Sequence, residues 1–190
     1  ELEIERSAFG GEGVAHLDGK TCFVEGALPG ERVLARVTAD KKSFLKARLF
    51  KVLRASPHRV APACRYTARC GGCQYQHVTY EEELRLKDAQ VRELLTRAGW
   101  PEDRIAPIER SASPLGYRNS LSVQVERKHG RAITGYYGKD NTSIIPVTDC
   151  PLLRRELVPY LSLAPSAKTA ERLTYKVDAD GRAHSGEKPV

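Results

Sequence analysis

Apolar and polar residues alternate in short bursts through the first third of the chain, and a turn signal interrupts each burst. Leu2 and Ile4 alternate with glutamates, and Gly10-Gly11-Glu12-Gly13 breaks the pattern. Val14 to Leu17 then runs into Asp18-Gly19, a strong signal for a two-residue hairpin turn. Lys20 to Leu28 follows, Pro29-Gly30 turns the chain, and Val33 to Val37 alternates again. A basic strand from Phe44 to Leu53 closes the series. Five short strands within about 55 residues predict a small OB-like barrel, an architecture that often binds nucleic acid.

Beyond residue 56 the text changes. Ser56-Pro57 and Pro62 read as a linker into a loop rich in cysteine. Thr79-x-x-Glu82 predicts a capping box that opens a helix. Leu84, Val91, Leu94, Leu95 and Ala98 supply its packing stripe, Gly99 stops it and Pro101 prevents a restart. Leu121 to Val125 alternates as a strand, Lys128-His129-Gly130-Arg131 reads as a hairpin turn, and Ile133 to Tyr137 as the partner strand. Ile144-Ile145 leads to a fourth cysteine, and a short helix is expected over Leu152 to Leu161. Ala164 to Thr169 reads as a loop, and Leu173 to Val177 with Asp180-Gly181 as a last hairpin. The fold class is mainly β with α+β character. A five-stranded barrel over residues 1–56 precedes a cysteine loop, one helix and an antiparallel sheet over 57–190.

The cysteines carry the candidate chemistry. Cys64-x5-Cys70-Gly71-Gly72-Cys73 puts three thiols in one loop, and Cys150 stands before Pro151. An iron–sulfur cluster needs thiolates that converge in this way from a short loop and one remote turn. Gly71 and Gly72 allow a tight wrap and are expected to aim backbone N–H groups at the sulfurs. Pro151 removes one donor and stiffens the turn after the fourth thiol. Zinc remains an alternative, although only Cys70-x2-Cys73 has the spacing of a zinc knuckle. Disulfides fit poorly: the cysteine count of five is odd, and a crowded triplet is awkward to pair. Cys22, in the apolar run Cys22-Phe23-Val24, reads as a packed strand residue.

Charge sharpens this picture. The chain has 190 residues and a formal net charge of +7, yet the excess is local. Nine lysines and arginines lie between Lys41 and Tyr80, a window without Asp or Glu, whereas the remainder holds 22 basic against 24 acidic residues. A run of one sign is often only a solvated face. Here it abuts the cysteine triplet and is interleaved with Phe44, Phe50, Tyr66, Tyr75 and His77, a mixture suited to phosphates and stacked bases. Lys46 and Arg48 share one face of the last barrel strand and are the expected phosphate contacts. No apolar stretch reaches the roughly 20 residues that a membrane-spanning helix needs. Free thiols point to a reducing cytoplasm. The glycines at 10–13 lead into another strand rather than a helix, so they read as a tight loop and not as a dinucleotide fingerprint.

Several strings in register carry a family resemblance. They are Gly11-Glu12-Gly13-Val14-Ala15; Phe23-Val24-x-Gly26-Ala27-Leu28-Pro29-Gly30-Glu31; the cysteine loop continuing to Gln74-x-Gln76-His77, with Tyr80 and Leu86-Lys87; Gly116-Tyr117-Arg118-Asn119; and Asp149-Cys150-Pro151. Together, over about residues 8 to 153, they resemble the TRAM-domain, 4Fe–4S-containing bacterial RNA (uracil-5-)methyltransferases, which act on rRNA or tRNA. The resemblance implies a TRAM barrel, a cluster-bearing central domain and an AdoMet-binding catalytic domain. It also implies covalent attack by a cysteine on a flipped uracil, followed by methylation of C5. Cys64, Cys70, Cys73 and Cys150 match the family's cluster ligands. Arg118 and Asn119 match a segment that touches RNA near the target base, and an arginine fork suits stacking and phosphate together. The alternative for Arg118 is a salt bridge that ties the sheet to the helix. His77, with Gln76, is expected either to contact RNA or to brace the cysteine loop.

The proposed ligands and Cys22 exhaust the thiols, and no glycine-rich strand-to-helix signal follows residue 100. The expectation is a monomeric, cytoplasmic recognition portion that is catalytically silent alone, with AdoMet bound by sequence absent from the chain. The alternative is a free-standing RNA-binding scaffold. Two departures bear on substrate choice: Ser120 stands where lysine is common, and Asn141-Thr142-Ser143-Ile144 replaces a usual Ser-His pair.

Overall fold

A computed structural model of the chain describes residues 1–128, 131–162 and 172–185. The described residues are mainly β, in two sheets with few helices. The first sheet contains β1 (Leu2–Glu3), β2 (Arg6–Ser7), β3 (Gly13–Leu17), β4 (Lys20–Glu25), β5 (Arg32–Asp40) and β6 (Phe44–Arg54). Its order is β1-β5-β6-β4-β3-β2, and β4 runs parallel to β6. One short stretch, residues 2–7, thus pairs with both ends of the sheet, β1 with β5 and β2 with β3. The sequence reads this stretch as one strand; the structure divides it so that it reaches two partners.

Alternation does its work inside this sheet. Ala15, Cys22, Val24, Val33, Leu45 and Ala47 share one core, each 6% exposed or less. Cys22 is a core residue, as its apolar run predicts. Asp18 and Gly19 both take positive φ, 51° and 76°, as the tight β3–β4 hairpin requires. The strand expected over Lys20 to Leu28 ends at Glu25, where Gly26 turns with φ of 84°. At 10–13 the chain makes a tight loop, in which the Ala8 N–H donates to the Glu12 carbonyl and the Gly11 N–H to that of Ala8.

Helix α1 (Tyr80–Arg97) begins after Thr79, but no capping box forms. Glu82 is 7% exposed and binds the Arg85 guanidinium through both oxygens, at 2.5 and 2.7 Å, instead of reaching back to the cap. The buried face consists of Glu82, Leu86 and Gln90, whereas Val91 and Leu94 are 47% and 44% exposed. The predicted stripe therefore does not pack as a stripe. Polar tethers place the buried face instead: the Tyr75 hydroxyl donates to Gln90 at 3.1 Å, and Gln90 donates to Ser7 at 3.3 Å. Spacing of apolar residues cannot anticipate such a face.

The second sheet contains β7 (Ser120–Lys128), β8 (Arg131–Tyr137), β9 (Ile144–Ile145), β10 (Arg172–Val177) and β11 (Ala183–Ser185), in the antiparallel order β11-β10-β7-β8-β9. Leu121 and Val123 of β7 face Tyr175 and Leu173 of β10 in register, and these residues share one core. Strands β7 and β8 pair as expected; the turn proposed at 129–130, like the loop at 164–169, lies outside the described residues. The helix expected over Leu152 to Leu161 is a 3-10 segment, Arg155–Ser162, because Pro159 inside it cannot donate an α-helical bond. Its Leu157 and Leu161 complete the second core.

The chain divides into two compact units. One holds residues 1–61 and 74–110; the other holds 62–73 and 111–190. This partition differs from a single boundary after residue 56. Helix α1 groups with the first sheet through Gln90 and Ser7, and the three-cysteine loop groups with the second.

Candidate functional site

The four cysteines outside the first core all belong to the second unit. Two sets of stitches bring their segments together. The Tyr66 hydroxyl lies 3.0 Å from the Thr148 hydroxyl and accepts the Thr148 N–H at 3.3 Å, and Arg65 donates to the Thr148 hydroxyl at 2.5 Å. These bonds hold the loop after Cys64 against the residues that lead into Cys150. On the other side, the Gly71 N–H donates to the Tyr137 carbonyl at 3.0 Å, the Lys139 N–H donates to the Arg69 carbonyl at 3.0 Å, and Cys70 bridges to Gly138. This contact needs glycine. A Cβ on Gly71 would meet the Gly138 carbonyl oxygen at 2.9 Å.

Cys64 and Cys70 consequently pack, half-buried, against the core that contains Cys150. Cys73 is half-buried on the same loop, outside that packed set. Backbone donors serve the sulfurs. The Tyr66 N–H points at Cys64 Sγ and the Gly72 N–H at Cys70 Sγ, each at 3.4 Å. Of the two glycines expected to do this, Gly72 does, and Gly71 bonds Tyr137 instead. Burial pushes the Cys150 thiol up from its ordinary pKa, the N–H groups of Leu152 and Leu153 oppose that, Cys64 adds to it, and Arg118 opposes it. Because Pro151 has no N–H, these next two residues are the first donors after Cys150.

The segment 116–119 is fastened to the Cys150-Pro151 turn. The Gly116 N–H donates to the Pro151 carbonyl at 2.9 Å, the Arg118 N–H to that of Leu152 at 2.8 Å, and the Arg154 N–H returns to the Arg118 carbonyl at 3.0 Å. Two motifs more than thirty positions apart in sequence thus form one short ladder. The exposed Arg118 side chain bears electrostatically on Cys150 and Tyr136, which places its charge beside the thiols. Exposed Asn119 accepts the Val177 N–H at 2.9 Å through its carbonyl.

Tyr136 is the residue that motif reading missed. Its hydroxyl oxygen is buried and makes no hydrogen bond of full geometry among the described residues; the Cys150 side chain is its weak neighbour. Burial first, and then the charge of Cys150, push its ionisation well above the usual tyrosine range. Nothing in its strand pattern marks it out. Among the described residues, no group of three or more His, Cys, Asp or Glu side chains is drawn together tightly enough for a single metal ion.

The residues expected to hold RNA lie in both units. Lys46 and Arg48 do project from one face of β6, flanked by inward Leu45 and Ala47. Each already has an acidic partner: Lys46 lies 2.5 Å from Glu12 and over the Phe23 ring, and Arg48 lies 3.1 Å from Glu25. Arg54 pairs likewise with Glu3 and Arg59 with Glu31. His77 is only 8% exposed, and its carbonyl accepts the Val60 N–H at 3.0 Å.

Comparison with known proteins completes the picture. Residues 1–50 match the TRAM domain family. A 23S rRNA (uracil(1939)-C(5))-methyltransferase of Pseudomonas syringae is 40% identical over 87% of this chain and 37% of its own length. An uncharacterized RNA methyltransferase of Gloeobacter violaceus is 39% identical over 86% of the chain and 36% of its own length, and one of Bdellovibrio bacteriovorus is 35% identical over 98% and 48%. The chain thus spans between a third and a half of the length of these relatives. In fold it is similar to the crystal structure of Pyrococcus abyssi tRNA (uracil-54, C5)-methyltransferase in complex with S-adenosyl-L-homocysteine. That likeness has a TM-score of 0.63 and 20% identity, and covers 97% of this chain and 44% of the other.

Proposed function

We propose, from the premise that this chain is a TRAM-bearing homologue of part of the RNA (uracil-5-)methyltransferases, that it forms their RNA-recognition and 4Fe–4S portion. In this reading residues 2–54 are a closed OB-like barrel, since residues 2–7 cover both ends of its sheet. The partner is RNA, ribosomal or transfer, and the protein works as a monomer in the cytoplasm. Methyl transfer from AdoMet to uridine C5 is assigned to the further length that the relatives possess. The barrel contributes Lys46 and Arg48 to phosphates, and the ladder beside the thiols presents Arg118 and Asn119 to the RNA. His77, buried and tied to Val60, suits the bracing role better than direct contact.

One observation carries the reading: within one unit, backbone bonds join the 116–119 segment to the Cys150-Pro151 turn, and Arg65, Tyr66 and Thr148 tie the cysteine loop to the residues that lead into that turn. The donor set fits a cluster. All four proposed ligands are thiols, two sulfurs already receive N–H groups, and a buried tyrosine O–H with no acceptor of full strength packs against the Cys150 core. A zinc ion, with Zn–S bonds of about 2.3 Å, is the alternative occupant, and only Cys70-x2-Cys73 has the knuckle spacing it prefers. When bound, the cluster supplies an anionic, soft inorganic core that ties the loop to the turn after Cys150. The chain's own residues contribute the thiolates, the donors that stabilise them and the Arg118 charge.

The test is iron and acid-labile sulfide per chain in anaerobically purified protein, alongside Cys73→Ser. We expect near-stoichiometric iron and sulfide in the parent, and loss of the brown absorbance with a lower melting temperature in the variant. A parent devoid of sulfide, or a variant with unchanged spectrum and melting, overturns the cluster.

A further inference from the structure

The four-thiol reading leaves one buried group beside the sulfurs without a task. Tyr136 lies on β8 in register with Ile145 of β9, one residue before the Tyr137 carbonyl that anchors Gly71. Its hydroxyl is closed off from water and makes no hydrogen bond of full geometry among the described residues, the Cys150 side chain being the one weak neighbour it addresses. A buried hydroxyl with so weak a partner bears most of its desolvation penalty, which phenylalanine at the same place would avoid. What the hydroxyl faces is sulfur. Tyr136 packs against the core that contains Cys150, and Cys64 and Cys70 pack against the same core; after burial itself Cys150 acts on the hydroxyl most strongly, ahead of Arg118 and Cys70.

We propose that Tyr136 is a positioning residue for the metal centre, donating its O–H to a sulfur at the Cys150 corner once the cluster is bound. This rests on the 4Fe–4S reading above. A thiol is a weak acceptor, whereas an iron-bound thiolate carries negative charge and accepts a charge-assisted bond. The weakly matched hydroxyl then has a strong acceptor in the holoprotein. A donor at a cluster sulfur stabilises the reduced, more negative state, so it raises the reduction potential. It also closes the Cys150 side of the site, where Leu152 and Leu153 supply the backbone donors.

The experiment compares parent and Tyr136→Phe chains, both purified anaerobically with their clusters. Iron and sulfide content is measured first, followed by a spectroelectrochemical titration. Equal iron content with a more negative potential in Tyr136→Phe, and faster loss of absorbance in air, is the expected result. After iron removal the Phe variant should melt no lower than the parent, because its ring fills the same space without a weakly matched hydroxyl. Equal potentials at equal iron content overturn the proposal while leaving the cluster reading intact. Absence of iron and sulfide in the parent defeats the cluster reading itself, and this inference with it. If the Phe variant assembles no cluster, 3-fluorotyrosine at position 136, a stronger donor of similar size, should move the potential the opposite way. A potential that does not move overturns the proposal.

Discussion

A carboxylate without solvent contact must have its oxygens occupied by donors, and Glu31 does. It is 0% exposed, and it accepts the Leu28 N–H at 2.9 Å, the Ser56 N–H at 3.2 Å and a two-pronged Arg59 guanidinium at 2.6 and 2.7 Å. Burial pushes its pKa up, but the Arg59 bonds, the two N–H groups and the Arg59 charge outweigh that and hold it below the usual carboxylate range. Its folded pKa lies below the unfolded value of about 4.3, so its stabilisation is present above that value and is lost as pH falls through the folded pKa. Glu31→Ala leaves the Arg59 charge without its carboxylate, bonded only to the Gly26 carbonyl, and two backbone donors unmatched, and should cost about 3–5 kcal/mol, read as a lower denaturation midpoint. A variant as stable as the parent, or a parent–variant gap that does not narrow on acidification below about pH 4, would show that this pair is not what holds the turn. The sequence displays Glu31 only as the end of the Pro29-Gly30-Glu31 string; its partner, 28 positions away, is invisible there.

At the level of elements, the cysteine loop owes its position to neighbours as much as to its own residues. Gly71 lies so close to Gly138 that an added methyl group must displace one backbone or the other. Gly71→Ala should therefore destabilise the second unit by about 1–3 kcal/mol and lower its iron retention; unchanged melting and iron content would mean that the loop has slack. Across the contact, Asp140 accepts the Thr142 and Ser143 N–H groups and the Ser143 hydroxyl, which hold its pKa down at about 2. That support of the β8–β9 turn is complete above pH ~4 and disappears as pH falls toward 2. Resonances of residues 138–143 should therefore titrate in that interval, and a midpoint near 4 would show the bonds to be absent. Strand existence was legible because alternation of period two requires only one buried face. The helix stripe was not, since Glu82 and Gln90 are buried through specific polar partners that no periodicity encodes.

For the molecule as a whole, the relevant quantity is where the +7 resides. The window from 41 to 80 is purely basic in sequence, yet Lys46, Arg48, Arg54 and Arg59 meet Glu12, Glu25, Glu3 and Glu31 from outside it. The basic face is therefore a partly compensated one. In the proposed RNA complex, phosphates would compete with these carboxylates, and exposed pairs such as Arg48 with Glu25 would yield readily because each contributes only about 0–1 kcal/mol. Lys46→Ala with Arg48→Ala should weaken RNA binding and flatten its log–log salt dependence by about one unit per lost phosphate contact. Glu25→Gln, which frees Arg48, should tighten binding at low salt. A salt slope equal to the parent's in the double variant would reduce the run to a solvated face.

Local order, the β-rich class, the hairpin at Asp18-Gly19, the core place of Cys22 and the identity of the motif strings were all decided by the sequence, because turn chemistry and alternation act over a few residues. Tertiary structure alone decided which distant groups meet. It split residues 2–7 between two strands, paired Arg118 with the Cys150 turn, compensated the basic run and enclosed the Tyr136 hydroxyl beside the thiols. Such contacts depend on loop closure and three-dimensional register, and a linear pattern of apolar and polar positions carries no record of either.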